Sequence, residues 1–442
     1  MVIKSLLPGL VLLLVLTSAA KGANENHLAR LLETRQCANC NLRGADLSGA
    51  YLRQANLRGA DLRGANLNRA DLRGAFLTQA DLSDADLRNA NLSGANLTSA
   101  GLDRAQLANA LLDTFTVIDD KWRLVQVLVT EGVGDQDLTG ADLSHANLDE
   151  VDFRQSDLTG ANLAGASFEA ANLSSSILTE ANLEGADLFL ASLQDAGISQ
   201  ASLREGNLQA TDLRQADLTA SDLQAANLSL AYLAGANLSQ ANLEDANLDS
   251  AILPTANLSA TNLTDANLFL ADLSQANLSG ATLAGTELSG ANLTGSNLSL
   301  GSLDGAELEA VISQGSDLSG ANFSGANLVS IDLRESNLSG IDLSAAEMQD
   351  ANLSNTNLTN ANLQGTDLRS ANLRGADLTN ADLQGARLSG ADLTNANLTN
   401  ANLQGADLTE ASLLGTTLED ITFSDRTSLC GTTMPDGEIH GC

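Results

Sequence analysis

Residues 391–395, with the sequence ADLTN, form one copy of the five-residue unit that decides the fold of this chain. Each unit reads approximately Ala, Asp or Asn, Leu, a polar residue and a small or polar residue. The central Leu recurs every five residues from Leu138 to Phe423 with few exceptions, and an earlier series runs from Leu42 to Leu112. The repeat therefore says much about architecture and little about biochemical activity.

A period of five fits neither an α-helix nor a long flat strand. Residues five apart lie about 140° from one another around a helix, and a strand would turn successive leucines to opposite faces. If the chain instead bends after each short extended piece, every Leu returns to a common interior. Four pieces close a coil of about 20 residues, and coils stack about 4.8 Å apart through backbone hydrogen bonds. We expect Leu and Ala to point inward, and the flanking Asp, Asn and polar residues to point outward.

The repeat carries a family resemblance. Residues 141–144 (ADLS), 161–164 (ANLA) and 391–394 (ADLT) match the signature A(D/N)LXX, and the chain resembles the pentapeptide-repeat family over most of residues 38–423. The resemblance implies an all-β solenoid, a right-handed quadrilateral β-helix with four pentapeptides per coil. Members of this family do different things, so it implies no single function. The long array behind an export signal is most similar to exported cyanobacterial members.

The sequence predicts six segments. They are a signal peptide at 1–20, an N-terminal helical cap at 21–37, a first pentapeptide-repeat array at 38–113, a helical insertion at 114–134, a second, long array at 135–423 and a C-terminal hairpin cap at 424–442. We expect the two arrays to stack as one rod, and two separate rods joined by the insertion are the alternative.

The first 20 residues have the pattern of a secretory signal. Lys4 precedes an apolar stretch at 6–16 that is too short to span a bilayer, and small residues at 18–20 offer a cleavage site. An uncleaved anchor is the alternative. We therefore expect an exported protein, in the periplasm, the thylakoid lumen or the extracellular space, with no stable membrane span after cleavage. Residues 24–36 then predict a short helix, capped by Asn26, that covers the first coil.

Four cysteines flank the arrays. The Cys37-x-x-Cys40 pair could be a disulfide, half a metal site or a redox motif, and we favour a structural disulfide because no second cysteine pair lies nearby. Cys430 and Cys442 can bridge a hairpin that turns at residues 434–438. Because a long array separates the two pairs, the bonds must be local or intermolecular. An exported protein meets the oxidising conditions that such bonds need.

The frame slips by one residue between Leu112 and Leu138, which marks an insertion. A helix from Asp119 or Asp120 to about Thr130 is expected, and residues 124–129 make it apolar nearly all round, so that it must be buried. Trp122, the single Trp of the chain, is interpreted as the packing anchor of this helix. The alternative makes the insertion a partner-binding lobe.

A few residues depart from the repeat inside the long array. Ser313 at a central position predicts one locally irregular coil, and Pro254 predicts a corner because it cannot donate a hydrogen bond. Bulky side chains replace Leu as expected interior fillers at Phe153, Phe168, Phe323, Phe423 and Met348.

The net charge is −33, and the acidic excess falls after residue 134. The first array is richer in arginine, with Arg43 above Arg63 and Arg53 above Arg73 expected to form basic stripes. An acidic surface repels nucleic acid, so no direct nucleic-acid binding is expected.

The sequence contains no pattern that is typical of a catalytic site. His27, His145 and His440 are scattered and cannot meet in a rod, and no phosphate loop, dinucleotide fingerprint or metalloprotease motif occurs. The many carboxylates are expected on open surfaces rather than in a pocket that would shift their pKa values. We predict no enzyme, no cofactor and no metal site.

One surface feature points to a partner. Aligned apolar residues follow central leucines at spacings of whole coils, and outward apolar groups of this kind are typical of contact surfaces. We predict a contact strip for a protein partner or for a second copy, with a homodimer through a rod face or end as one form, and chance in a degenerate repeat as the alternative. The strip comprises Phe189, Leu190, Leu230, Phe269 and Leu270.

The leading functional hypothesis is a non-enzymatic exported β-helical rod that acts as a structural scaffold or protein-binding surface. The resemblance supplies a rival, because some relatives are acidic DNA mimics that occupy a DNA-handling protein such as gyrase. A cation- or polysaccharide-binding surface protein is the third hypothesis.

Overall fold

The computed structural model describes residues 22–132 and 134–442, so the expected signal peptide at 1–20 lies outside the described residues. The chain divides into two compact units. The first comprises the described residues of Met1–Asn172 together with Gly185–Leu188, and the second comprises Leu173–Glu184 and Phe189–Cys442.

Parallel pairing at a spacing of 20 residues builds both units. In the second unit Asn237 is bridged to Asn257 and Asn257 to Asn277, and Asn41 to Asp61 is an equivalent pair in the first. Each bridge is a single residue, and the described part of the chain contains no longer strand. The reason is the turn that follows every Leu, because it ends each extended piece before a second residue can pair. Four pentapeptides therefore make one coil, as expected, while the handedness of the coil stays a prediction.

The interior is built from the Leu and Ala columns. In one coil of the second unit Leu243 is 0% exposed and Ala241 is 1% exposed, while Asn242 between them faces outward and is half-buried. The Leu243 amide donates to the carbonyl of Asn262, 2.7 Å away in the next coil. Among the aromatic fillers, the rings of Phe153 and Phe168 meet edge to face with centroids 6.0 Å apart. The predicted inward and outward positions are therefore found in the structure.

Two expectations about irregular positions are wrong. Ser313 does not disturb its coil, because its amide still donates to Asp332 and its buried hydroxyl donates to Ser316. Phe423 is 39% exposed and is not an interior filler, because it lies beside an additional residue that breaks the frame. Pro254 lies in a turn, as expected, and its carbonyl accepts a hydrogen bond from Gly235.

Pairing continues past both predicted array ends with one extra residue. Asn96 pairs with Val117, and Asp407 pairs with Ser428, each at a spacing of 21. A one-residue insertion at each place hides these last pairs from a search at strict multiples of five. The tail then forms an antiparallel hairpin, in which Thr433 is bridged to Ile439 and the Met434 amide donates to Glu438.

Helix α1, Glu25–Thr34, begins the described part of the first unit. Its N-cap is Asn24 rather than the expected Asn26, since the Asn24 side chain accepts from the amides of Asn26 and His27. Leu28 and Leu31 are buried, and the Asn24 amide donates to the carbonyl of Asn41 in the first coil. These contacts hold the helix against that coil.

Helix α2, Asp120–Glu131, occupies the insertion, and its C-cap is Gly132, which has a positive φ of 64°. It buries one face, formed by Trp122, Val125 and Leu128, whereas Val127 is 37% exposed. The expectation of a helix buried all round is therefore wrong, because only one side meets the repeats.

Within the first unit, coils from both arrays contact each other and α2. The Arg104 amide donates to the carbonyl of His145 at 2.7 Å. The Asn109 amide donates to the Thr130 hydroxyl near the end of α2. Lys121 at the start of α2 donates to Ser144 and lies 3.6 Å from Asp142. The helix is thus wedged beside the place where the first array ends and the second begins.

Candidate functional site

The turn of each pentapeptide places its last residue in the left-handed backbone region. Across the second unit this position is held mostly by Gly, Asn, Gln, Asp, Ser and Ala. Leu190, Leu230 and Leu270 adopt the same conformation, with φ of 57°, 60° and 55°. A left-handed conformation costs a residue with a Cβ atom about 1–2 kcal/mol, and glycine avoids this cost. A Leu at this position can offset the cost only if its side chain is buried.

These three leucines are not buried. Leu190 is 53% exposed, Leu230 is 50% exposed and Leu270 is 54% exposed. Backbone hydrogen bonds link the successive turns between them, from Leu230 to Asp249 and from Ser250 to Phe269. The leucines therefore lie in one column with one coil between each pair, as the sequence predicted. Of the two predicted phenylalanines, Phe269 is 42% exposed and Phe189 is half-buried.

Two residues that the sequence analysis did not name extend this column into a patch. Tyr232 and Ile252 are 47% and 37% exposed, and they occupy the outward position that Asp or Asn fills in most units. They are bridged directly to each other, so their side chains belong to adjacent coils. The signal was present in the sequence, because both replace an outward Asx residue within two residues of the Leu230 or Ser250 turn. We call Leu190, Leu230, Tyr232, Ile252, Phe269 and Leu270 the apolar column.

A glycine lies under one end of the apolar column. A Cβ atom at Gly290 would come within 2.7 Å of the Leu270 Cδ2 atom, so the Leu270 side chain lies over that glycine. Charged residues border the column on the neighbouring coils. Asp212 is bridged to Tyr232 and Asp272 to Ile252. Hydrogen bonds from Arg214 hold the pKa of Asp212 below its ordinary value, so this carboxylate is ionised at neutral pH.

The repeat is also what this chain has in common with known proteins. The family model described as "Pentapeptide repeats" matches residues 40–113, 137–340 and 346–425, in overlapping segments that cover most of the chain. The chain is a pentapeptide-repeat protein. No curated protein matches its sequence.

Several solved pentapeptide-repeat proteins are similar to the chain. HetL, involved in heterocyst differentiation regulation in the cyanobacterium Nostoc sp. strain PCC 7120, is 32% identical; the match covers 52% of this chain and 91% of HetL, with a TM-score of 0.28. QnrB1, a plasmid-mediated fluoroquinolone resistance protein, is 24% identical over 39% of this chain and 90% of its own, with a TM-score of 0.27. A protein from the Arabidopsis thaliana thylakoid lumen is 26% identical over 28% and 68%, with a TM-score of 0.14. TM-scores this low add nothing to the family match.

The other predicted site residues of this pentapeptide-repeat protein lie away from the apolar column in sequence. Trp122 belongs to the first unit, is 6% exposed, and has the Lys121 ammonium 4.9 Å from its ring centroid. Cys37 and Cys40 form one disulfide, and Cys430 and Cys442 form the other. Cys37 and Cys40 are both buried, in the places that Leu and Ala hold in later units.

One arginine of each expected basic stripe is ion-paired, and the other is not. Arg63 lies 2.7 Å from Asp61 and 3.4 Å from Asp81, and Arg73 lies 2.6 Å from Asp71. Within the stripes only Arg63 and Arg73 bind the Asp two residues earlier, whereas Arg43 and Arg53 form no ion pair with any described residue. The first array therefore keeps part of the expected cationic surface beside its ion pairs.

The three histidines are held in separate local contacts. His27 accepts a hydrogen bond from the Asn41 amide, the His145 ring lies beside Gly165, and His440 contacts Gly441. Among residues 22–132 and 134–442, no group of three or more His, Cys, Asp or Glu is arranged to hold a metal ion. No helix in the same described ranges has the length and apolarity to cross a membrane.

Proposed function

We propose that the protein is a non-enzymatic scaffold whose second unit binds a partner protein through the apolar column. The observation that carries this proposal is the presence of half-exposed leucines at left-handed turn positions. Folding alone favours Gly or Asn there, because they adopt that conformation at lower cost. Residues that weaken their local turns and expose apolar surface in one aligned column are better explained by a contact outside the chain than a single such residue would be.

The chemistry of the column defines its partner. Leu, Ile and the Phe ring offer an apolar centre, Tyr232 adds a phenol that can both donate and accept, and the neighbouring coils add Asp212, Arg214 and Asp272. An apolar centre with a polar border is the usual form of a protein–protein interface. The complementary surface should present aliphatic or aromatic side chains with a polar rim.

Photo-crosslinking provides the test. A benzophenone amino acid at position 230 of the full-length protein, expressed in its native host, should crosslink one protein in a stoichiometric band. Replacing Leu190 and Leu270 by Asn should abolish that crosslink. The matched control is Leu300→Asn, because Leu300 has the same left-handed φ of 58° and is 75% exposed, yet belongs to a different column of turns.

The outcomes separate the candidates. Loss of the crosslink in the Leu190/Leu270 variant with retention in the Leu300 variant supports the proposal. A crosslinked product with twice the mass of the chain would show that the partner is a second copy. Equal crosslinking in all variants, or none in the native protein, would overturn a partner site at this column.

We also propose that this scaffold works outside the cytoplasm. Two disulfides support the proposal, because such bonds persist in oxidising compartments. The apolar segment at 6–16 has the pattern of a signal peptide. Cell fractionation and N-terminal sequencing should find the mature chain outside the cytosol without residues 1–20. A cytosolic protein that keeps those residues would instead favour the acidic DNA-mimic hypothesis.

A further inference from the structure

The side of the second unit that follows the turns of the apolar column has the same chemistry when read in either direction. Its outward positions are bridged to one another from coil to coil. In chain order they hold Ser192, Asp212, Tyr232, Ile252, Asp272 and Asn292. The order is polar, acidic, apolar, apolar, acidic and polar. It is therefore unchanged by reversal about the midpoint between the Tyr232 and Ile252 coils.

The neighbouring column of turns is complementary to its own reverse about the same midpoint. Large and small residues alternate there, in the order Leu190, Ala210, Leu230, Ser250, Leu270 and Gly290. Reversal places each Leu backbone at the level of a small residue. The leucines are half-exposed, and they recur every second coil, about 10 Å apart. Complementarity of a surface to its own reverse is what a two-fold interface between identical chains requires.

The centre of this side is apolar over two coils. Tyr232 is 47% exposed and Ile252 is 37% exposed. The next turn along the chain adds Ala234 and Pro254, which are half-buried and uncharged. An apolar centre of this kind lies between the coils that carry Asp212 and Asp272, and a polar border around an apolar centre is typical of protein interfaces.

The charged border is also complementary after reversal. Arg214 donates to Asp212 through Nε at 2.8 Å and through Nη2 at 2.6 Å, so its Nη1 group can donate to a second carboxylate. Asp272 forms no ion pair with any residue in the described ranges and accepts from the Ser274 amide and the Asn292 side chain. Reversal sets the Asp212–Arg214 pair opposite Asp272, so that one guanidinium can bind both carboxylates.

A parallel arrangement of two copies lacks this match. A two-fold axis along the stacking direction would set each outward residue opposite the same residue of the other copy. Asp272 would then face Asp272 at a level that carries no arginine, and such a contact is repulsive. The charges therefore favour antiparallel copies.

We propose that the partner of the apolar column is a second copy of this chain, packed side by side and antiparallel, with the two-fold axis between the Tyr232 and Ile252 coils. This inference rests on the proposed function and names its partner. Tyr232 of one copy packs on Ile252 of the other, and Arg214 of one copy binds Asp272 of the other. The six coils involved span only about 24 Å, so we expect a dissociation constant in the micromolar range.

Analytical ultracentrifugation of the full-length protein, purified from its native host, tests the proposal at about 1–100 μM. We expect a monomer–dimer equilibrium. Tyr232→Asn with Ile252→Asn installs a residue that is common at outward positions, so the chain should fold, and it should raise the dissociation constant at least about tenfold. The matched control, Tyr51→Asn with Ile177→Asn, removes the same side chains from outward positions elsewhere, where they are 79% and 45% exposed. It should leave the equilibrium unchanged.

A rescue experiment tests the charged contact. Arg214→Gln leaves Asp212 opposite Asp272 of the other copy, and it should weaken the dimer about fivefold. Adding Asp272→Asn removes that repulsion and should recover most of the loss. Within one chain the two aspartates lie three coils, or about 14 Å, apart, and salt screens them from each other at physiological ionic strength. A rescue therefore reports a contact between copies.

The orientation of the copies is measured by electron spin resonance between labels on Ser330→Cys. Ser330 is an exposed turn residue four coils beyond Ser250. In the antiparallel dimer its two copies are nine coils, or about 43 Å, apart along the stacking direction. In a parallel dimer they would lie at one level, roughly 20 Å apart or less.

A dimer that is weakened by the Tyr232/Ile252 pair, unaffected by the control pair and marked by the long label distance supports the proposal. A monomer at every concentration, equal weakening by both pairs, absence of the rescue or a short label distance would overturn it. The photo-crosslink at position 230 separates this inference from the proposed function. A monomer that still crosslinks to a different protein rejects the second copy and retains the apolar column as a partner site.

Discussion

Each unit has an interior of the same Leu and Ala columns, and the two units differ in how they arrange their outward Asp and Asn residues. In the first unit Asp61, Asp71 and Asp86 each bind the Arg two residues later. In the second unit long runs use amides, as where Asn257 donates to Asn237 at 2.9 Å and Asn277 donates to Asn257 at 3.1 Å. Ion pairs also occur there, but these amide ladders carry no charge.

The difference shows what stacking demands of an outward residue. Identical positions repeat about 4.8 Å apart, so a column of bare carboxylates would repel itself. In the first unit, arginine side chains pair with the carboxylates. In the second unit, Asp alternates with Asn or is replaced by Asn, whose side-chain amide can donate to the side-chain oxygen of the previous coil. Stability that comes from ion pairs depends on pH and salt, whereas amide ladders depend on neither.

The largest effect should come from the interior, where the two units are alike. Leu243→Asp in the second unit and Leu72→Asp in the first each place a carboxylate at a fully buried position. Each should destabilise its unit by more than about 4 kcal/mol, because the buried charge has no partner. Thermal unfolding followed by circular dichroism measures this, with outward Ser259→Asp as control. A melting temperature unchanged by Leu243→Asp would show that the inward assignment is wrong.

The next effect tests the amide ladder. Asn257→Asp removes the donor to Asn237, and we expect a loss of about 1 kcal/mol. Adding Asn277→Asp stacks two carboxylates, and the double variant should lose more than the sum of the single losses by about 1 kcal/mol. Urea unfolding measures both. The excess should shrink at high salt or below about pH 3, where repulsion is screened or the groups are neutral. Strict additivity would show that the columns are not electrostatically coupled.

A smaller effect concerns the turns of the apolar column. Leu230→Asn keeps the left-handed turn but replaces a half-exposed Leu by a residue that favours this conformation, so the protein should gain up to about 1 kcal/mol. Leu300→Asn should behave alike. If Leu230→Asn destabilised the isolated protein, the side chain would contribute to folding, and the proposed reason for its presence would fall.

The smallest effect belongs to the ion pairs of the first unit. Hydrogen bonds from Arg73 hold the pKa of Asp71 below its ordinary value, so the pair adds stability above about pH 4 that is lost as the pH falls through the lower folded pKa. Asp71→Asn should lower the melting temperature by about 1–2 °C at neutral pH and by nothing at strongly acidic pH. Asn56→Ser, which breaks the amide contact of 3.3 Å with Gln36 in the same unit and touches no carboxylate, serves as the control without pH dependence. A deficit that persists in acid would contradict the ion-pair explanation.

The accuracy of the sequence-based prediction differs from one position to another, according to how strictly the fold constrains the side chain there. The strict period predicted the interior, because every Leu meets the same steric demand. It missed the last pairs at Val117 and Ser428, since one inserted residue moves them out of frame. It misjudged Ser313, because a neighbouring hydroxyl satisfies the buried one without changing the backbone.

The surface was less predictable than the core. The spacing of the leucines predicted their place in the apolar column, but Tyr232 and Ile252 were not predicted, because an outward position accepts many residue types and no single substitution stands out. The one-sided burial of α2 was also beyond the sequence. It depends on how the helix packs between coils, and no periodic pattern encodes that.

The spacing of 20 residues between paired positions has a consequence for how such a gene can change in length. Gain or loss of a complete turn of the second unit would keep Leu190, Leu230 and Leu270 above one another. Gain or loss of one pentapeptide would leave every interior contact intact but shift all later residues to the adjacent side, and so split the column. Recombination that adds or removes one pentapeptide would therefore preserve folding but disrupt partner binding. Length variants that still bind the partner should differ from one another by whole turns.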